Sequence, residues 1–119
     1  VNKAALDQSE ERFRARGTDI LTMLLDVTDR PALEAAAKRI EAFGKLHVVC
    51  ANAGIAPSGA KVAETEPAKW DRMMAINVKG VWNATRAITP QMRSQKYGKI
   101  VNISSTTMLV GAPFMLHYV

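Results

Sequence analysis

The chain alternates between two kinds of hydrophobic pattern, and this alternation constrains its fold more than any other feature. Three runs rich in apolar residues, Ile20 to Leu25, Leu46 to Ala51 and Lys99 to Ser104, are too short for helices, and the second has almost no polar alternation. Such runs predict buried parallel strands. Between the first two, Leu33, Ala36, Ala37, Ile40 and Phe43 recur at helical spacing, with Pro31 set for a first turn after Asp29 and Gly44 as the stop. Between the second and third, Trp70, Met73, Met74, Asn77, Val81, Ala84, Thr85 and Ile88 share one face of a longer helix that Pro67 can open and Pro90 should end or kink. Tyr97-Gly98 then turns the chain into the third run. Residues 3 to 15 predict a further helix, broken at Gly17, with Leu6 and Phe13 as its clearest apolar points. Helix and strand in strict alternation predict an α/β fold, a doubly wound parallel sheet with right-handed crossovers.

Composition excludes several classes of function. With 119 residues, 48% of them hydrophobic and 23% charged, the chain reads as one globular domain or part of one. No stretch approaches the roughly 18 apolar residues a membrane span needs, and Val1-Asn2-Lys3-Ala4 opens a polar helix rather than a signal peptide. A cytoplasmic protein without a membrane partner is predicted. Sixteen basic residues against eleven acidic ones give a net charge of +5, but they are scattered singly and in pairs, so a nucleic-acid partner is not predicted. Cys50 is the single cysteine, which excludes an internal disulfide or a cysteine-based metal cluster. Its place within the second run predicts a buried, inert thiol, and no metal site is expected.

Ligands of open α/β sheets sit beyond the carboxyl ends of the strands, so the informative residues are Asp26, Asn52 and Ser105, where the three runs end. Asp26-Val27 can take an amino group such as adenine's on the carboxylate while the main chain supplies the complementary bond. Equally, Asp26 or Thr28 can cap the next helix. Asn52-Ala53-Gly54 is a small-residue turn that lets a flat ligand approach the backbone, although these are also ordinary turn formers. Asn77 shares the seam of the long helix, where an unpartnered amide would cost about 1 to 3 kcal/mol. A freed carbonyl near Gly80 or a water at the site would satisfy it.

Ser105 and Tyr118, thirteen positions apart, suit carbonyl chemistry: one hydroxyl can hold an oxygen while the other exchanges a proton with it. A phenol is an acid suited to a forming alkoxide, and rapid reversal needs a cation nearby to stabilise phenolate. His117, beside Tyr118, is expected to line the substrate side or face solvent, and His47 lies at the opposite end of the sheet. Met108, Leu109, Val110, Phe114, Met115 and Leu116 form an apolar stretch that would serve as core or as the wall of a pocket for an apolar or aromatic substrate.

Together these residues resemble the short-chain dehydrogenase/reductase family over essentially the whole chain. Leu25-Asp26-Val27-Thr28-Asp29 resembles its adenine-contacting segment, Ala51-Asn52-Ala53-Gly54 its Asn-Asn-Ala-Gly turn, and Ile76-Asn77-Val78-Lys79-Gly80 the helix of its catalytic asparagine. Ile100-Val101-Asn102-Ile103-Ser104-Ser105 resembles the strand that delivers its serine, and Tyr118 stands at the tyrosine of its Tyr-x-x-x-Lys motif. The resemblance implies binding of NAD or NADP and reversible hydride transfer between the nicotinamide and a secondary alcohol or ketone. It makes Ser105, Tyr118 and Asn77 catalytic, with Ser105 orienting the substrate oxygen, Tyr118 handling its proton and Asn77 holding a water in the proton path. Asp26, Val27, Asn52, Ala53, Gly54 and Tyr118 would contact the cofactor.

Three departures from the family pattern bear on this reading. Ala51 replaces the first asparagine of the turn, a glycine-rich pyrophosphate loop has no counterpart, and the motif's lysine would fall beyond Val119. Residues 1–119 are therefore expected to be the central portion of a single Rossmann-like NAD(P)-binding catalytic domain, with little activity alone. A catalytically silent nucleotide sensor and a non-redox lyase or isomerase are the competing readings. The family also implies a homodimer or homotetramer, with the helix from Trp70 to about Arg93 at an interface.

Overall fold

The structure is a computed structural model that describes residues 2–56 and 59–118. Local signals set the first two helices. Helix α1, Lys3–Arg14, starts where the Asn2 side chain accepts from the Ala5 N–H at 3.3 Å, and i,i+4 ion pairs Lys3–Asp7 and Glu10–Arg14, each 2.6 Å, brace its surface. Helix α2, Arg30–Phe43, is capped by Asp29, whose carboxylate accepts from the Ala32 N–H at 3.0 Å, with Pro31 in its first turn and Gly44 at its end. Leu33 and Ala36 are its buried residues. The sequence signals for both helices are borne out.

Strand β1, Val48–Ala51, and strand β2, Lys99–Asn102, pair in parallel with Val48 opposite Lys99 and Ala51 opposite Asn102. The crossover between them contains a 3₁₀ turn, Val62–Glu64, then α3, Pro67–Met74, a π-helical segment, Ala75–Gly80, and α4, Val81–Ser94. Helix α4 packs on α2 and on β1, and the core gathers Leu33, Ala36, Ala51, Met73, Ile88 and Met92. A last short helix, α5, spans Thr107–Val110.

Two expectations about the sheet are corrected. Ile20 to Leu25 forms no hydrogen-bonded strand among the described residues. Strand order in a doubly wound sheet differs from chain order, so a run can lie beside strands other than those that follow it; this one joins neither β1 nor β2. The strands are also not buried. Val48 is 53% and Val101 45% exposed, and Cys50 is exposed rather than shielded. Side chains alternate across a strand, so the helical layer that buries Ala51 leaves the Val48 and Cys50 face bare among the described residues.

The long helix also departs from a uniform pattern. Its π-helical segment widens the turn and shifts the residues that follow. Met73 and Ile88 are buried as expected, whereas Trp70 is exposed and Asn83 is buried to 3% exposure. Asn83 Nδ2 donates to the Val27 carbonyl at 3.0 Å. Pro90 does not end the helix, which continues to Ser94; Arg86 and Pro90 are both exposed, so water can serve the carbonyl that proline leaves without a donor. At the far end Gln91 donates to the Gly44 carbonyl at 3.1 Å and Gln95 to that of Leu46, tying α4 to the approach to β1.

Gly80 makes the Val27 contact possible, since a Cβ there would stand 2.5 Å from Val27 Cγ2. Gly80→Ala should destabilise the full-length protein by about 1 to 3 kcal/mol through overpacking, read as a lowered thermal midpoint. Val27→Ala in the same chain should recover part of the loss, and a purely additive double mutant would show that the two positions do not meet.

Candidate active site

The exit of β1 is built around an amide. Asn77, presented by the π-helical segment, accepts from the Ile55 N–H with Oδ1 at 2.9 Å and donates from Nδ2 to the Ile55 carbonyl at 2.9 Å. Nδ2 also contacts Met73 sulfur at 2.9 Å. Asn77 is thus paired not with a carbonyl near Gly80 but with both backbone groups of Ile55, the residue that follows the Asn52-Ala53-Gly54 turn. Gly54 lets the side chain come close, for a Cβ there would lie 3.3 Å from Asn77 Oδ1. Asn52, Ala53 and Gly54 themselves remain exposed.

Ser105 follows β2. Its Oγ accepts from the Thr107 N–H at 3.3 Å and from the Thr107 hydroxyl at 2.9 Å. A serine hydroxyl has two acceptor positions and one proton, so this arrangement fills the acceptors and leaves the proton to give. Tyr118 ends a turn in which its N–H donates to the Met115 carbonyl at 2.8 Å. Ser105, Tyr118 and Asn77 line one cleft of about 440 Å³ together with Asn52, Ala53, Gly54 and Met108. The fold therefore brings the predicted hydroxyls, the amide and the small-residue turn together. His117 departs from expectation: it faces neither solvent nor this cleft and is buried, with Nδ1 lacking a partner among the described residues.

Asp26 and Val27 do not line the cleft. Asp26 Oδ1 accepts from the Thr28 N–H at 2.8 Å and from the Thr28 hydroxyl at 2.7 Å. The Thr28 N–H first, and then its hydroxyl, hold the Asp26 carboxyl below its ordinary value. The helix cap expected of Asp26 or Thr28 belongs instead to Asp29. Val27, pinned by Asn83 and packed against Gly80, is joined to the helical stretch that carries Asn77. Ile55, Asn83 and Thr107 were not singled out by sequence reading. A hydroxyl two positions after Ser105 was the available signal for Thr107, as such spacing forms local side-chain turns. The described residues contain no group of three or more His, Cys, Asp or Glu placed to hold a metal, and no helix long and apolar enough to cross a membrane.

Residues 1–119 match the family model for short chain dehydrogenases. The chain is 36% identical over 110 residues to the 3-oxoacyl-(acyl-carrier-protein) reductase FabG of Staphylococcus aureus, covering 92% of this chain and 44% of the reductase. An NAD+-bound xylitol dehydrogenase superposes with a TM-score of 0.92 at 31% identity, over 98% of this chain and 45% of its own. A gluconate 5-dehydrogenase from Burkholderia cenocepacia, in complex with NADP and tartrate, gives 0.89 at 30% identity over 98% and 46%. The chain thus spans less than half the length of these relatives.

Replacing Asn77 by Leu should free both backbone groups of Ile55. Amide hydrogen exchange at Ile55 should accelerate by about tenfold or more, since each lost bond is worth about 1 kcal/mol; unchanged protection would show that the loop is held elsewhere. For Asp26 the folded-state pKa is lowered, so its two bonds contribute fully above the ordinary carboxylate value of 3.8 and are lost as pH falls through the lowered one. A carboxyl carbon titration by NMR should place its midpoint below that value, and Thr28→Val should raise it only in part, because the backbone bond stays.

Proposed function

The chain belongs to the short-chain dehydrogenase family, and on that premise we propose that the protein it comes from is an NAD(P)-dependent oxidoreductase interconverting a secondary alcohol and a ketone. Residues 1–119 would supply the central part of one Rossmann-like NAD(P)-binding catalytic domain. The observation that carries this reading is the shared cleft of Ser105 and Tyr118, with the Asn77-anchored turn at its side.

The residues fit the cofactor. Asn52, Ala53 and Gly54 are small, exposed and backed by a fixed loop, so a flat ring can lie against their main chain, with Tyr118 on the same cleft. Asp26 takes both Thr28 bonds on Oδ1, which leaves Oδ2 to accept from an adenine amino group while the Val27 main chain pairs beside it. NAD and NADP are both consistent with these groups, and the solved relatives named above include one bound to each. A bound nicotinamide would supply or remove the hydride.

The chain's own groups manage the oxygen. Ser105, with its acceptor positions filled by Thr107, donates its proton to the substrate oxygen and holds it in place. Tyr118 gives a proton to that oxygen during reduction and takes one during oxidation. Asn77 acts by holding the turn; a water in the proton path would use the second lone pair of its Oδ1 or its main chain. The substrate is apolar or aromatic in character, in keeping with the Met108–Leu116 stretch. We place the enzyme in the cytoplasm as a homodimer or homotetramer, with exposed Trp70 and Trp82 on the helical stretch that would meet the other copy.

In the full-length protein, Tyr118→Phe should lower kcat by about 100-fold to 10,000-fold, the usual worth of a positioned acid, in the nicotinamide absorbance assay at 340 nm. Ser105→Ala should cost about 100-fold or more. Unchanged turnover in Tyr118→Phe would remove the phenol from the reaction.

A further inference from the structure

We propose that an apolar hollow beside the cleft receives the larger, uncharged substituent of the substrate, and that Phe114 is its specificity-determining residue; this rests on the reading above that Ser105 and Tyr118 hold the reacting oxygen. The hollow measures about 450 Å³ and is walled by Ala60, Val62, Ala112, Phe114 and Leu116, with Lys61 at its side. Small-molecule sites commonly have this size and apolar lining. It is formed by the loops that leave β1 and β2, the same two that build the cleft.

The two loops are fastened to each other at Phe114. The Ala60 N–H donates to the Phe114 carbonyl at 2.9 Å, and a Cβ on Gly59 would approach Phe114 Cβ to 3.2 Å. Phe114 has a φ of 64°, a left-handed conformation that is unfavourable for a bulky residue. Burial of the ring does not explain it, since Phe114 is 58% exposed. The conformation instead sets the ring on the wall of the hollow.

Position and charge select the occupant. In the Met115–Tyr118 turn, Leu116 lines the hollow and Tyr118 lines the cleft. Their α-carbons are at most about 7 Å apart, the reach of two residues, so a carbonyl at Tyr118 can extend one substituent into the hollow. Lys61 Nζ lies 3.6 Å from Glu64 Oε1, which balances its charge, and no hydroxyl or amide side chain lines the hollow among the described residues. A ring-sized alkyl or aryl group is favoured there over a polyol or a carboxylate.

The test uses full-length protein with its cofactor and three probes: cyclohexyl methyl ketone, dihydroxyacetone and cumene, which has the ring but no carbonyl. Phe114→Ala should raise KM for cyclohexyl methyl ketone by about tenfold or more, the scale of a lost apolar contact set, and leave kinetics with dihydroxyacetone and the KM of the cofactor unchanged. Phe13→Ala, exposed on α1 and lining neither the cleft nor the hollow, should change neither. Cumene should compete with the ketone and not with the cofactor, and should shift the Ala60 and Ala112 methyl resonances of the unmutated protein, a readout that needs neither turnover nor a folded variant. Equal KM changes for both ketones, or no methyl shift at saturating cumene, would overturn the proposal. Methyl shifts without turnover of any ketone would overturn the oxidoreductase reading while leaving the hollow as a binding site.

Discussion

The site depends on one side chain pairing with one residue's backbone. Asn77 offers an acceptor and a donor in a fixed geometry, and Ile55 returns the complement, so the turn leaving β1 is bound to the crossover helix by two hydrogen bonds. These groups are partly buried, where an unmade bond costs more than a made one gains. The turn therefore has little freedom to drift, and Asn52, Ala53 and Gly54 keep a constant position relative to the cleft that Ser105 and Tyr118 share. Val27 is held to the same helical stretch through Asn83 and Gly80. One helical stretch thus fastens both the exit of β1 and the Asp26-Val27 segment.

Much of this was legible in the sequence because the signals are local. Asp29, Pro31 and Gly44 mark the ends of α2 by their own chemistry, and Ser105, Tyr118, Asn77 and the small-residue turn could be placed at one end of the sheet from chain order alone. The family, read from five motifs in order, is the one whose model matches the chain. What escaped the sequence reading was set by distant or uneven structure. Whether Ile20 to Leu25 joins a ladder depends on which strand lies beside it, which the run itself does not encode. A uniform 3.6-residue period passes over the Ala75–Gly80 segment, so Trp70 was counted on the inner seam and Asn83 was not. His117 was read from its neighbour Tyr118, although consecutive residues of a turn point in different directions.

The exposed strands follow from how parallel sheets are stabilised. Each face needs a helical layer, and α2 with α4 supplies one. The radius of gyration, 16.7 Å, exceeds the roughly 13 to 14 Å of a compact domain of this length. Apolar side chains such as Val48 and Val101 are thereby left in water. This arrangement agrees with a chain that spans less than half of its relatives.

The π-helical segment has a consequence for sequence change in this protein. A π-helical turn holds one residue more than an α-helical one, so removing one residue between Ala75 and Gly80 would close the segment to ordinary helix and let α3 and α4 keep their facing. The fastening disturbed would be Asn77 on Ile55, inside the segment, rather than Asn83 on Val27. In this stretch length matters as much as identity, and conservative exchanges of side chains are far safer edits than a single-codon deletion.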